Sequence, residues 1–503
     1  MNPLYTVAEV RAIERAAALS LPPGALMQRA GQAGANAALD LLPFSTKLAK
    51  VLVLAGPGDN GGDAMEVAAH LSYTGAQVAL VHYAPADANA TSPERQAAQQ
   101  RTRNSEVPLL EMDDARIAAT DWNLVVDGLF GIGLKRPVDG RLAALVETIN
   151  RLPGNVLALD VPSGLDADTG CVVGPDGVAI RATHTLTFIG NKPGLHTCDG
   201  RDYAGLVDVA RLDIDASHFP AARLHLNDVK FFSRHLRARR HNSHKGSYGN
   251  VAVIGGARGM SGAPILSART ALNSGAGRVY ALFVEDALAA DPGQPELMCR
   301  AAQDFDLSQA TLVIGPGLGA SSVARALLAD AIASENNLLA DADALNLLAS
   351  APGLQSALAK RPASAILTPH PLEAARLLDV SIAQIQADRL SAARELAARL
   401  NAIVILKGSG TIITAPNGNA VINTTGNPAL ATAGTGDVLA GLCGALLAQG
   451  WPQWEAALAA VWLHGMAADV LVTEGCGPIG LTAGELIPAI RTALNRMVDH
   501  HAR

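Results

Sequence analysis

Three stretches in the first half of the chain set oxygen-bearing side chains among glycines: GPGDNGGD at 56–63, DGLFGIGLKRPVDG at 127–140 and DVPSGLDADTG at 160–170. The glycines let backbone amides approach a phosphate or ribose, and a helix starting after the first stretch favours negative charge at its N-terminus. Asp160 closes an apolar run, which makes it a candidate acid or base in a partly dehydrated rim where its pKa can rise. Asn60, Asp127 and Ser163 offer only oxygen ligands, suited to a hard, weakly held cation and not to zinc. One Asp-Gly turn is usually structural. Three on one sheet edge point to a site. The first stretch lacks the Lys-Ser/Thr end of a P-loop and the spacing of the dinucleotide fingerprint, so its identity needs its neighbours.

The second half carries a sharper pattern. Ala433-Gly434-Thr435-Gly436-Asp437 precedes a long apolar helix-like run, so amides of the turn form an anion hole with a carboxylate beside it. Such a carboxylate takes a proton from a hydroxyl while the amides stabilise a transferring phosphoryl group. The Gly-x-Gly-Asp opening resembles the signature of ribokinase-like enzymes. Lys407-Gly408-Ser409-Gly410-Thr411 follows the apolar run AIVIL and has a lysine, hydroxyls and flexible backbone suited to nucleotide phosphates. In TPHPLE, residues 368–373, His370 can donate to a substrate oxygen. GPGLG, residues 315–319, allows close approach of a ligand to the backbone.

Positioning these turns requires strands that all end on one edge. From Lys50 short β-like runs alternate with helix-like ones (KVLVLAG, AQVALVHY, WNLVVDGLFG, NVLALDVPSG, ATHTLTFIG), the rhythm of βαβ units and a mostly parallel sheet. A polar segment at 211–246 interrupts it, and its basic part (LRARRHNSHKG) reads as a solvated linker and not a nucleic-acid contact. A second series begins at NVAVIGG and includes an Asn417-Gly418 hairpin signal. The expected organisation is two α/β domains, 1–222 and 223–503, for which family resemblance implies a Rossmann-like doubly wound sheet in the first and a ribokinase-like fold in the second.

Composition narrows the partners. In 503 residues, 39 Lys and Arg face 46 Asp and Glu, a net charge of −7 that gives no broad attraction to nucleic acid or anionic lipid. The uncharged apolar stretches near 312–323 and 438–447 contain glycines and fall short of the ~20 residues of a membrane span. Five scattered cysteines without CxxC spacing argue against a disulfide framework or zinc site and fit a reducing cytoplasm. Ala-rich helical faces such as EAALAAVWLHGMAADVLV suit either internal packing or a homo-oligomer.

Together GPGDNGGD, DGLFGIGL and DVPSGL resemble the N-terminal epimerase domain of the NAD(P)H-hydrate repair enzymes, over roughly residues 1–220. The resemblance implies interconversion of the R and S epimers of hydrated NADH and NADPH, with a bound potassium ion held by Asn60, Asp127 and Ser163. It implies that Asp59, Asn60, Gly61, Gly62 and Asp63, and the turn Gly131, Ile132, Gly133, Leu134, Lys135, Arg136 and Pro137, face the substrate, with Asp160 as the catalytic carboxylate. The family usually has Asn where Asp59 stands and Gly where Ala64 stands.

HKGSYGNVAVIGGARGMSGAPILSARTALNSGAGRV (244–279), with GPGLG, the histidine turn, KGSGT and AGTGD, looks like the ADP- or ATP-dependent NAD(P)H-hydrate dehydratase domain over about 230–500. That resemblance implies substrate contacts from Ala263, a glycine of the GPGLG turn (Gly317 or Gly319), His370 and Asp437. It implies nucleotide contacts from Lys407, Gly408, Ser409, Gly410, Thr411 and Gly436, with Mg2+ accompanying ADP. On this reading Asp437 deprotonates the 6-hydroxyl as the nucleotide phosphorylates it, because phosphate leaves carbon far better than hydroxide. The rival is a ribokinase-like kinase of a small alcohol or vitamin precursor with a separate N-terminal ligand-binding domain.

Overall fold

The computed structural model describes residues 2–42, 45–83, 92–363 and 365–501, apart from the side chains of Asp114 and His501. The chain divides into two compact units, one running from Pro3 to Ala222 and the other from Arg223 onward together with Asn2.

The first unit is built on strands β1 (Lys50–Ala55), β2 (Gln77–His82), β3 (Leu124–Gly128), β4 (Asn155–Leu159), β5 (His184–Phe188) and β6 (Leu206–Ala210). Their order is β2-β1-β3-β4-β5-β6, parallel throughout. Helices cover both faces, so β1 reads as an unbroken apolar run. Val51, Val53 and Ala55 enter one core with residues of the helices Ala25–Asp40 and Asp59–Tyr73. Leu52 and Leu54 enter another with Leu142, Leu145 and Ile149 of the helix Gly140–Arg151. The chain leaves β1 for β2 on one side and returns to β3 on the other. That reversal opens a crevice at the carboxyl ends of β1 and β3, where doubly wound sheets hold ligands.

The second unit carries β7 (Leu224–Leu226), β8 (Asn250–Gly255), β9 (Arg278–Phe283), β10 (Met298–Ala301), β11 (Thr311–Ile314), β12 (Leu338–Ala340), β13 (Ala365–Leu367), β14 (Ile403–Leu406), β15 (Ile412–Thr414) and β16 (Ala420–Ile422). They form one sheet in the order β10-β9-β8-β11-β12-β13-β14-β15-β16-β7. β15 runs antiparallel to both its neighbours, and the remaining pairs are parallel. The predicted Asn417-Gly418 hairpin joins β15 to β16, with Gly418 at φ +86°. Here the reversal lies between β8 and β11. The helix Gln453–Thr473 is long and apolar enough to cross a membrane, but Ala456–Val461 pack into the core of this unit.

One expectation is corrected and one refined. β6, β7 and β10 were not anticipated; all three are sheet edges, where burial is partial and apolar patterning weak. The basic stretch is solvated as expected, with residues 237–246 exposed, but it is held against the second unit. Arg234 pairs with Glu455, and the Arg239 guanidinium lies 3.7 Å from the centroid of the Tyr248 ring while donating to the Gly275 carbonyl, so these arginines dress the second unit.

Candidate active sites

In the first unit, GPGDNGGD turns out of β1 into the helix Asp59–Tyr73, as the glycine pattern requires. Close approach is literal at Gly56: a Cβ there would lie 1.7 Å from the Leu129 carbonyl oxygen. Asn60 sits in the first helical turn and is buried, and its Nδ2 donates to the carbonyls of Phe130 and Leu159, both at 3.0 Å. Its Oδ1 is buried with no hydrogen-bond partner. Asp127, at the end of β3, accepts from Ser163 Oγ at 2.6 Å, Ser163 N at 2.8 Å and Leu129 N at 3.2 Å. Burial pushes its carboxyl up to about 6, against the lowering effect of those bonds. Asn60 and Ser163 thus meet at the Phe130 backbone, and Ser163 links that point to the buried Asp127 carboxylate.

Asp160 follows β4 with φ +65°, a left-handed conformation that aspartate tolerates better than most residues. Ile132 N donates to its Oδ2 at 3.3 Å, and a Cβ on Gly131 would lie 3.0 Å from the same oxygen and 3.3 Å from Asn60 Cβ. The turn Gly131–Pro137 therefore starts between the two candidate side chains and continues outward, with Gly133, Lys135, Arg136 and Pro137 exposed. Asp63 completes an acidic group. Its carboxyl is raised well above the usual range by burial and then by Asp160, Asp59 and Glu14. The extra carboxylate of Asp59 is exposed and meets Arg95 Nε at 3.6 Å, while the Ala64 methyl is buried against Gly128.

Two residues were missed by sequence reasoning. Lys192, fully buried, donates to Asp160 Oδ1 at 2.5 Å, and Glu14 of the helix Val7–Ala18 is raised by burial and by Asp59 and Asp160. Lys192 lies in GNKPG just beyond β5, another glycine turn at a strand end and the one signal that marked it.

In the second unit, Ala263 lies in the first turn of the helix Gly262–Asn273. Gly317 has φ +59°, and its position faces Met260 and Ala263; a Cβ there would lie 3.4 Å from Ala263 Cβ. Gly319 faces Ala257 and Met260 instead, and its N donates to Asp343 Oδ2 at 2.9 Å. Gly434, at φ +88°, caps the helix Thr435–Ala448, so Gly436 and Asp437 occupy its first turn. Burial, then Asp341, pushes Asp437 up to about 6.

Lys407 donates to Asp341 Oδ1 at 2.8 Å, and its Nζ stands 3.4 Å from where a Gly436 Cβ would be. Burial opposes its charge, but Asp341, Glu373 and Asp437 outweigh that and hold its ammonium above its usual range. The KGSGT and AGTGD turns therefore meet at one lysine. The buried Arg389 backs the first of them, donating to the carbonyls of Leu406 and Lys407 at 3.4 and 3.3 Å. His370 caps the helix Pro371–Leu378: its Nδ1 accepts from Leu372 N at 3.1 Å, so Nε2 is the nitrogen that carries a proton in the neutral ring. Glu373, pushed up to about 7 by burial, lies 3.3 Å from that nitrogen. Asp341, Asp343 and Glu373 extend the predicted set. The first two lie in LADADAL directly after β12, with Ala342 between them at φ +47°.

A family model described as NAD(P)H-hydrate dehydratase matches residues 251–491, and one described as YjeF-related protein N-terminus matches 23–194. The bifunctional NAD(P)H-hydrate repair enzyme Nnr of Coxiella burnetii is 38% identical, covering 98% of this chain and 100% of its own. The enzyme of the same name from Escherichia coli K12 is 35% identical over 97% of this chain and 93% of its own. A crystal structure of ADP/ATP-dependent NAD(P)H-hydrate dehydratase from Bacillus subtilis, co-crystallized with ATP/Mg2+, is 30% identical, covers 53% of this chain and 97% of its own, and superposes with a TM-score of 0.45. With such relatives matched across both units, the chain belongs to the bifunctional NAD(P)H-hydrate repair enzymes.

Proposed function

We propose that the first unit interconverts the R and S epimers of hydrated NADH and NADPH, and that the second dehydrates the S epimer at the expense of ADP, giving AMP and phosphate. The observation that carries the reading is the meeting of two turns at Lys407: one built for nucleotide phosphates, the other presenting Asp437 beside helix amides. Asp437 takes the proton of the 6-hydroxyl as that oxygen receives the phosphoryl group; the C–O bond then breaks with phosphate leaving, and the adjacent ring carbon gives up a proton so that the C=C bond is restored. His370 Nε2 and the turn holding Gly317 beside Ala263 orient the substrate. Lys407 and the amides from Gly408 to Thr411 hold the nucleotide phosphates.

In the first unit Asp160 moves the proton at the 6-hydroxyl, with the helix start at Asp59–Asp63 and the turn Gly131–Pro137 around the dinucleotide. Asn60, Asp127 and Ser163 would hold potassium; the unpartnered Oδ1 of Asn60 and the buried Asp127 carboxylate are oxygen donors of the hard type that such an ion takes. When bound, it supplies the positive charge that this oxygen set lacks. Among the described residues no group of three or more His, Cys, Asp or Glu side chains converges as a metal site, so Mg2+ would be held chiefly through the nucleotide it accompanies. Its chemistry there is neutralisation of phosphate charge. The substrates are small molecules, with no role for nucleic acid or membrane.

The test follows return of nicotinamide absorbance from a mixture of both epimers with ADP, with ATP and with neither. Complete recovery with ADP, faster than unaided epimer exchange, supports both activities. Recovery stopping at the S fraction removes the epimerase reading. No recovery with either nucleotide overturns the repair function in favour of a small-alcohol kinase.

A further inference from the structure

Lys192 cannot touch a substrate: its side chain is fully buried. All three of its ammonium protons are committed, to Asp160 Oδ1 at 2.5 Å, Thr187 Oγ1 at 2.6 Å and the Phe188 carbonyl at 2.7 Å. Burying an ammonium is costly unless it is fully paired, so this arrangement serves its carboxylate partner or nothing. The turn that carries it is fixed from two sides. Tyr5 N donates to the Asn191 carbonyl at 2.8 Å, and Asn191 Oδ1 accepts from Lys192 N at 2.9 Å.

Asp160 is thereby divided. Oδ1 is occupied by Lys192, with Phe188 N at 3.5 Å, whereas Oδ2 has Ile132 N at 3.3 Å and the bare Cα of Gly131 beside it. Three acids exert their charge on this group of side chains: Glu14 from the helix Val7–Ala18, and Asp59 and Asp63 from the helix Asp59–Tyr73. Lys192 is the cation bonded to Asp160.

We infer that Lys192 is the positioning residue of the epimerising carboxylate: it fixes Asp160 through Oδ1, offsets the surrounding acids and leaves Oδ2 as the oxygen that exchanges a proton with substrate. The inference rests on the epimerase reading above.

The test compares wild type, Lys192→Met and Lys192→Arg in epimerisation of the R form, across pH, with melting curves to establish that each variant is folded. Lys192→Met is expected to lose at least 100-fold in kcat with KM within threefold, and its acidic limb to move at least one unit to higher pH. Lys192→Arg, which keeps the charge but misplaces it, is expected to lose kcat while its acidic limb stays where wild type has it. If Lys192→Met does not fold, the arginine variant decides alone: kcat at the wild-type level, or a displaced limb, overturns the inference. A folded Lys192→Met with an unmoved limb overturns it too. Wild type that fails to epimerise would overturn the underlying reading and the inference with it.

Discussion

Lys407 Nζ lies 2.8 Å from Asp341 Oδ1, which joins the ends of β14 and β12 across the intervening β13. The pair sets the charge around Asp437, whose carboxyl is raised by burial and then by Asp341, and lowered by Lys407. Asp341→Asn removes the raising charge and frees the lysine to act on Asp437. Both changes favour the carboxylate. The acidic limb of the dehydration rate is therefore expected to shift below its wild-type position, which lies near 6 if Asp437 is the base. A limb that stays in place in the variant would remove Asp437 from that role.

Asp437→Asn separates chemistry from stability. Loss of a general base typically costs about 10²–10⁴ in rate, so dehydration should nearly vanish while nucleotide still binds. Stability moves the other way. A carboxyl whose folded pKa of about 6 exceeds the unfolded value binds extra protons in the native state between the two. Its contribution is complete below the unfolded pKa and is lost as pH rises through about 6, above which the ionised group burdens the fold. The asparagine should thus melt higher than wild type at pH 8, by roughly 1–2 kcal/mol after discounting partial exposure, with no gain at pH 4. Paired melts at the two pH values measure this.

The first unit should respond to potassium. At ten times its dissociation constant a ligand adds about 1.4 kcal/mol, or roughly 3–6 °C for a unit of this size. Melting in KCl against tetramethylammonium chloride at equal ionic strength should show that rise in wild type. Asp127→Asn, which keeps the shape and removes the charge between Ser163 and Leu129, should abolish it. An equal response in both proteins would place the ion elsewhere.

The glycine-bearing turns were legible because each answers a local demand: a strand must stop, a helix must start, and backbone must come close to something. Hence the turns that carry Asn60, Asp160 and Lys407 were placed at strand ends, and the turn that carries Asp437 at a helix start, where the fold has them. Lys192 and Asp341 were not singled out, since a buried ion pair leaves no periodic trace and its partners lie 32 and 66 residues away in the chain. The cysteines show the same limit. Their spacing suggested scatter, yet the sulfurs of Cys171 and Cys198 stand 3.2 Å apart where the turns after β4 and β5 meet. The edge strands β6, β7 and β10 escaped for the opposite reason, because partial burial dilutes the apolar pattern that marks a strand; β2, an edge whose alternate residues are buried, was found.

Gly408 tests the nucleotide turn without touching a charge. It has φ +139°, and a Cβ there would lie 2.5 Å from Arg389 Nη1 and 2.8 Å from Nη2. Arg389 has no room to retreat: it is buried, and it donates to the Leu406 and Lys407 carbonyls and to Gln386 Oε1 at 3.0 Å. Gly408→Ala must therefore push the KGSGT backbone away from Arg389 and displace its amides. Strain of this kind costs about 1–3 kcal/mol, so the KM for ADP should rise about tenfold or more. Epimerisation of the R form, carried by the other unit, should keep its wild-type rate. Titrating ADP in the dehydration assay measures the first effect, and an unchanged KM would mean that the nucleotide phosphates do not rest on this turn.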